Sequence, residues 1–305
     1  FVGQDSPGRV SFNPQYMSWE LDHWPTYAPN ARGAYAIDNP DIETWQPTEP
    51  LFAKAPRAKL VAEQVLPSEI SGRVTAIDYQ ADAEIYALTT TDNWVYILDK
   101  KMQILSKAQI DGMYMLHIET LHGVAFTSAN SLLVMGFNKA WAELTLDPTQ
   151  NWEMNYRRFN QSSDGIGETA RGQFSTVRAK TSYSLALGYS STLAQFVTVT
   201  TRDALNEHLV LSRFDRTDMT LSAESNLQGL PALPQVTGIS VQGEQAWVLN
   251  NDGSEVLKLN LLTGEVTPMA KLAGTNNPQG LLVQDDKLLT ISQINGQNQL
   301  QTYVM

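Results

Sequence analysis

The chain has 305 residues, 42% of them apolar, enough for one large domain or two ordinary ones with a real core. Its 32 acidic against 21 basic residues give a net charge of −11 without any basic stripe, which excludes a nucleic-acid footprint or a patch for anionic membranes. Cysteine is absent, which excludes disulfides, thiolate catalysis and thiolate metal sites, and no apolar run approaches the 18 or so residues of a membrane span. The sequence starts at Phe1 rather than Met, so we expect a removed leader or anchor and a periplasmic or extracellular location.

Residues 1–57 read as an extended N-terminal arm. They hold eight of the 14 prolines (Pro7, Pro14, Pro25, Pro29, Pro40, Pro47, Pro50 and Pro56), a density that prevents regular helix and central strand. Disordered linkers are poor in aromatics, whereas this arm carries Trp19, Trp24 and Trp45 with Tyr16, Tyr27 and Tyr35. Two readings stay open: a segment wrapped over its own domain, or an arm whose Trp19, Trp24, Tyr27 and Trp45 dock on a protein partner.

From residue 58 to 305 the signals are those of strands. Lys59–Leu66 (KLVAEQVL) is a single strand before Pro67. Residues 73–80, 83–90, 93–99 and 102–108 form one four-stranded group, and 114–127, 131–137, 139–147 and 152–160 a second. The polar, Gly-rich stretch 160–172 (NQSSDGIGETARG) reads as a loop. Strands resume at 173–178, 182–189, 193–200, 206–214 and 219–223. A linker at 226–234 leads to Val236–Asn260, where two turns, the second of them Asn250–Gly253 (NNDG), separate three strands. A fourth strand is placed at 264–270, and the last group covers 279–285, 287–293 and 298–304. No long segment shows apolar spacing of 3.6, so helix is scarce.

The unit at Val236–Asn260 recurs at Val74–Asp99: VTGI matches VTAI, Trp247–Leu249 matches Tyr86–Leu88, and Val256–Asn260 matches Val95–Asp99. A strand-turn-strand-turn-strand unit repeated at a distance indicates radial β repetition. We therefore expect an all-β chain forming a β-propeller of five blades, with six as the alternative count. The final group has three strands and the early strand 59–66 has none beside it. Pairing that strand as the outer strand of the last blade would close the ring.

Three segments, VTAIDY (Val74–Tyr79), IYAL (Ile85–Leu88) and VYILD (Val95–Asp99), resemble the SdiA-regulated (YjiK-like) family of bacterial β-propellers, and more loosely NHL- and YncE-like propellers. His122–Ala125 (HGVA) and Pro278–Leu281 (PQGL) stand where that family carries a Glu-Gly-Ile/Leu-Ala step, and Leu288–Gln293 (LLTISQ) resembles its closing strand, which ends in Ser-Glu. The resemblance covers residues 68–305 and implies the fold and export rather than a chemistry. His122, Gln279 and Gln293 stand where acidic residues would be expected, so an inward ring of carboxylates suited to calcium is depleted.

Few residues suggest catalysis. His117 and His122 are five apart, which matches no common zinc spacing, and His23 and His208 stand alone. There is no G-x-S-x-G elbow, and Gly165-Ile-Gly167 lacks the strand and helix of a phosphate loop. Of the carboxylates Asp78, Glu119, Asp252 and Asp285, the last two read as turn residues. Asp78, His122, Gln279 and Gln293 are the candidates for a ligand at the channel, with no residue assigned as catalytic. The reading favoured is a non-catalytic extracytoplasmic platform within a larger complex. The alternatives are a calcium-dependent propeller hydrolase of the lactonase or esterase kind and a small-molecule sensor.

Overall fold

The computed structural model describes residues 10–13, 18–21, 55–110, 120–155, 170–176, 184–201, 209–227, 236–250, 254–275 and 277–305. The chain divides into two compact units, Phe1–Thr48 and Glu49–Met305. In the first, β1 (Val10–Asn13) and β2 (Ser18–Leu21) pair antiparallel, with Phe12 opposite Trp19.

The second unit begins its strands with β3 (Arg57–Val65) and continues as successive antiparallel sheets. The first blade is β4 (Val74–Gln80), β5 (Ile85–Thr90), β6 (Trp94–Leu98) and β7 (Ile104–Gln109). The second is β8 (Leu121–Ser128), β9 (Ser131–Gly136), β10 (Ala140–Asp147), β11 (Glu153–Asn155) and β12 (Arg171–Gln173). The third is β13 (Ser184–Ser190), β14 (Gln195–Thr201), β15 (Leu209–Asp215) and β16 (Leu221–Asn226). The fourth is β17 (Val236–Gln242), β18 (Gln245–Asn250), β19 (Glu255–Asn260) and β20 (Val266–Leu272). The fifth is β21 (Gln279–Gln284), β22 (Lys287–Ile294) and β23 (Gln297–Val304), completed by β3.

Each second strand is sandwiched between neighbouring blades, which is why β5 is buried at all six positions and reads as an unbroken run rather than an alternation. Outer strands such as β7 face solvent and keep mixed sequences. The core is accordingly split into one apolar layer per blade contact. Ile85 and Ile97 meet Val124 and Leu144 between the first two blades. Phe174, stacked on Phe214 at 4.2 Å, joins Trp141 and Phe196 between the second and third.

The ring closes through β3. Its residues Lys59 to Val65 pair antiparallel with Val304 to Gln299 of β23, while Arg57 and Ala58 pair in parallel with Lys271 and Leu272 of β20. Asn298 fastens the chain that follows. Its Oδ1 accepts the Val74 N–H at 3.2 Å, its Nδ2 donates to the Ile70 and Gly72 carbonyls at 2.9 Å, and its own carbonyl accepts the Leu66 N–H.

The five-blade count and the closure by an N-terminal strand stand as expected from sequence. Two assignments are corrected. The strand expected at 173–178 falls earlier, as β12 at Arg171–Gln173, which pairs with Ala140–Ala142 of β10 while β11 pairs with Thr145–Asp147. The outer strand of the second blade is thus made in two pieces, and Arg171 and Gly172 leave the expected loop 160–172. The reason is Gly172, whose missing side chain was read as a loop signal. A Cβ there would lie 2.5 Å from the Trp141 ring, so this glycine serves close packing inside a sheet.

Candidate functional site: the channel and its two mouths

The five inner strands β4, β8, β13, β17 and β21 share one irregularity. Pairing with the second strand skips one residue between Val74 and Ala76, Leu121 and Gly123, Ser184 and Ala186, and Val236 and Gly238, and two between Gln279 and Leu282. At the same register each strand carries a small residue: Ala76, Gly123, Ala186, Gly238 and Gly280. A Cβ on Gly238 would stand 2.5 Å from the backbone of Gly280 and Leu281, and one on Gly123 2.4 Å from the Leu187 Cβ. These residues let neighbouring strands touch backbone to backbone, and the axis between them is nearly filled. A cavity of about 10 Å³ remains there, touched by all five strands through residues such as Ile77, His122, Leu187, Ile239 and Leu281, room for one water at most.

Where the inner strands end, the channel opens into a cavity of about 480 Å³ lined by Asp78, Tyr79, Ser240, Gln242, Gln284 and Asp285, among others. Asp78 reaches this cavity but is otherwise enclosed, and its Oδ2 accepts the Phe126 N–H of the next blade at 2.7 Å. Burial pushes its carboxyl up to about 6, against the pull of the Phe126 and Tyr79 amides. Ser240 occupies the equivalent place, two residues past Gly238, and accepts the Val283 N–H of its next blade at 3.0 Å. Asp78 and Ser240 are therefore the same interblade latch, once charged and once neutral.

The other mouth lies where the inner strands begin. Arg73, immediately before β4, donates from Nη2 to the Asn277 carbonyl at 3.1 Å. His122 lies on the next strand with its ring 5.0 Å from that of Phe137, and burial, helped by the Arg73 charge, holds its imidazole below the ordinary value. Gln279 is buried at the corresponding register of β21.

Of the four candidate channel residues, the structure brings His122 and Gln279 to one mouth and Asp78 to the other. Gln293 stands on the second strand of its blade opposite Asn298 and lines neither cavity. Trp19 lies in β2; Trp24, Tyr27 and Trp45, like His23, His117, Glu119, His208 and Asp252, lie outside the described residues. Asp285 has φ +53, as its turn reading requires. Arg73 and Ser240 were missed, although aligning VTAID with VTGIS places Ser240 on Asp78 and would have found the latch.

Calcium does not fit the described donors. It wants six or more oxygens, and among the described residues no three His, Cys, Asp or Glu side chains converge.

No protein-family model matches the chain, and no curated protein matches it in sequence. Among solved structures it is similar to the glutaminyl cyclase of Myxococcus xanthus, with a TM-score of 0.54 and 12% identity over 83% of this chain and 100% of that one. It is also similar to the β-propeller domain of Myceliophteria thermophila Cps50 (Swd1), with a TM-score of 0.46 and 11% identity over 81% of this chain and 99% of that one. The fold is that of a β-propeller. Likeness at this identity speaks for the fold and leaves chemistry to the site itself.

Proposed function

We propose that this propeller is a non-catalytic binding platform, a subunit or accessory of a larger protein complex. The observation that carries the reading is the use made of Asp78. Asp78, the carboxyl expected at the channel, is tied to the Phe126 amide in the role that Ser240 fills elsewhere in the ring, a structural use rather than a catalytic one. The separate unit Phe1–Thr48, with its own β1–β2 hairpin and its aromatic sequence, supports the reading as an attachment device. An extracytoplasmic location and kinship to the SdiA-regulated propellers belong to the same proposal. They rest on the VTAIDY, IYAL and VYILD segments.

The test is the native mass of the full chain in a gentle extract, compared with a chain of Glu49–Met305. A large assembly that needs residues 1–48 supports the platform; monomeric migration of both chains overturns it. A second reading, a sensor that takes a small molecule over the channel mouth, is favoured by the 480 Å³ cavity. It would show as a metabolite that raises the unfolding temperature of Glu49–Met305 but not of its Gln284→Leu variant.

A further inference from the structure

We propose that the mouth at the start of the inner strands binds a small oxyanion, a carboxylate or phosphate group, through Arg73, His122 and Gln279. What points there is a stranded cation in an acidic protein. Arg73 Nη2 is taken by the Asn277 carbonyl, but Nε is fully buried and has no acceptor among the described residues. Asp92 lies against Gly72, next along the chain, yet its Oδ1 takes the Thr90 hydroxyl at 2.5 Å and it forms no ion pair with Arg73. A buried guanidinium donor without an acceptor is costly. An acceptor supplied from outside the protein would relieve that cost.

The flanking groups complete a donor set. Asn277, whose carbonyl anchors Arg73, is two residues before Gln279 on the neighbouring inner strand, and His122 is on the inner strand of the next blade. His122 is near enough for the Arg73 charge to depress its proton affinity, and among the described residues neither its ring nor the Gln279 amide has a hydrogen-bond partner. An imidazole, an amide and a guanidinium are all groups that can donate to an oxyanion. A planar guanidinium favours ligands that present two oxygens.

The test uses the full chain with ring-labelled histidine. The His122 resonance is assigned by its loss in His122→Gln, and inorganic phosphate and acetate are titrated at constant ionic strength against chloride. A saturable shift of His122 is expected with at least one anion. Phosphate alone would indicate a phosphate-bearing ligand, and acetate alone a carboxylate. Arg73→Gln and Gln279→Glu should each weaken that anion by about tenfold or more, and Arg73→Lys by less, with unfolding midpoints confirming folded variants. If Arg73→Gln does not fold, Gln279→Glu and Arg73→Lys decide. The proposal is overturned if neither anion moves His122 up to roughly 50 mM, or if the folded variants bind as the parent does.

Discussion

Replacing Asp78 with asparagine should stabilise this protein, and only above a definite pH. The Asp78 carboxyl is pushed from an ordinary 3.8 up to about 6 by burial. At roughly 1.4 kcal/mol per pH unit, that gap is worth up to about 3 kcal/mol. Its direction follows from which form the fold prefers. A raised carboxyl pKa means that the folded protein favours the neutral acid, so Asp78 imposes no penalty below pH 3.8. The penalty grows between 3.8 and 6 and is complete above 6. Contact with water in the mouth cavity screens part of it, so about 1–3 kcal/mol is the range expected. Asparagine keeps an oxygen for the Phe126 N–H and has no charge to bury.

Urea unfolding of both chains from pH 4 to pH 8 reads this directly. The Asp78→Asn chain should be the more stable above pH 6, and its advantage should shrink steadily towards pH 4. Asp78→Ala loses the acceptor as well, leaves the Phe126 amide unmet and costs about 1–3 kcal/mol relative to Asp78→Asn at every pH. A difference between the asparagine variant and the parent that does not change with pH would refute the account of Asp78 as a latch held at the expense of its charge.

Gly238→Ala should cost about 3 kcal/mol or more, because its Cβ meets the rigid backbone of Gly280 and Leu281 at 2.5 Å, and a fall in the urea midpoint checks this. Asn298→Leu removes three side-chain hydrogen bonds and leaves the Val74 amide without its acceptor, a loss of about 3 kcal/mol. Limited proteolysis should then cut within 66–74 before the rest of the ring. A chain beginning at Leu66 lacks β3 and bares the edge of β23; it should self-associate on gel filtration while Glu49–Met305 does not.

The repeat was legible because its features are local. Runs such as Ile85–Thr90 are long enough to be strands and too apolar to be anything but buried ones, and turn residues such as Asn93 and Asp285 declare their positive φ by their chemistry. Closure was legible by arithmetic, since the last group was one strand short. The split outer strand of the second blade was not, because Gly172 is glycine for the sake of a tryptophan that packs on it from another strand. The site was legible in part. His122 and Gln279 stood out as departures from a pattern, but Arg73 precedes the repeat, and its importance lies in the Asn277 carbonyl 204 positions away in sequence.

The two mouths differ in how they relate to the repeat, and that difference separates architecture from chemistry. Small residues recur at one register in all five inner strands because five backbones must meet at the axis, and no ligand is needed to account for them. The position two residues on is looser. It holds Asp78, Ala125, Gly188, Ser240 and Leu282, and where it is polar it binds the next blade rather than solvent. Beside the small residues, on the other side, Thr75 and Thr237 also spend their hydroxyls inside the protein, on Thr89 and on the Pro278 carbonyl. His122 and Gln279 break that rule at the same register, and the guanidinium next to them breaks it with a buried donor. Polar groups that the fold does not use, His122 and Gln279 at one register with Arg73 close before it, make this mouth the part of the channel where the proposed oxyanion would be met.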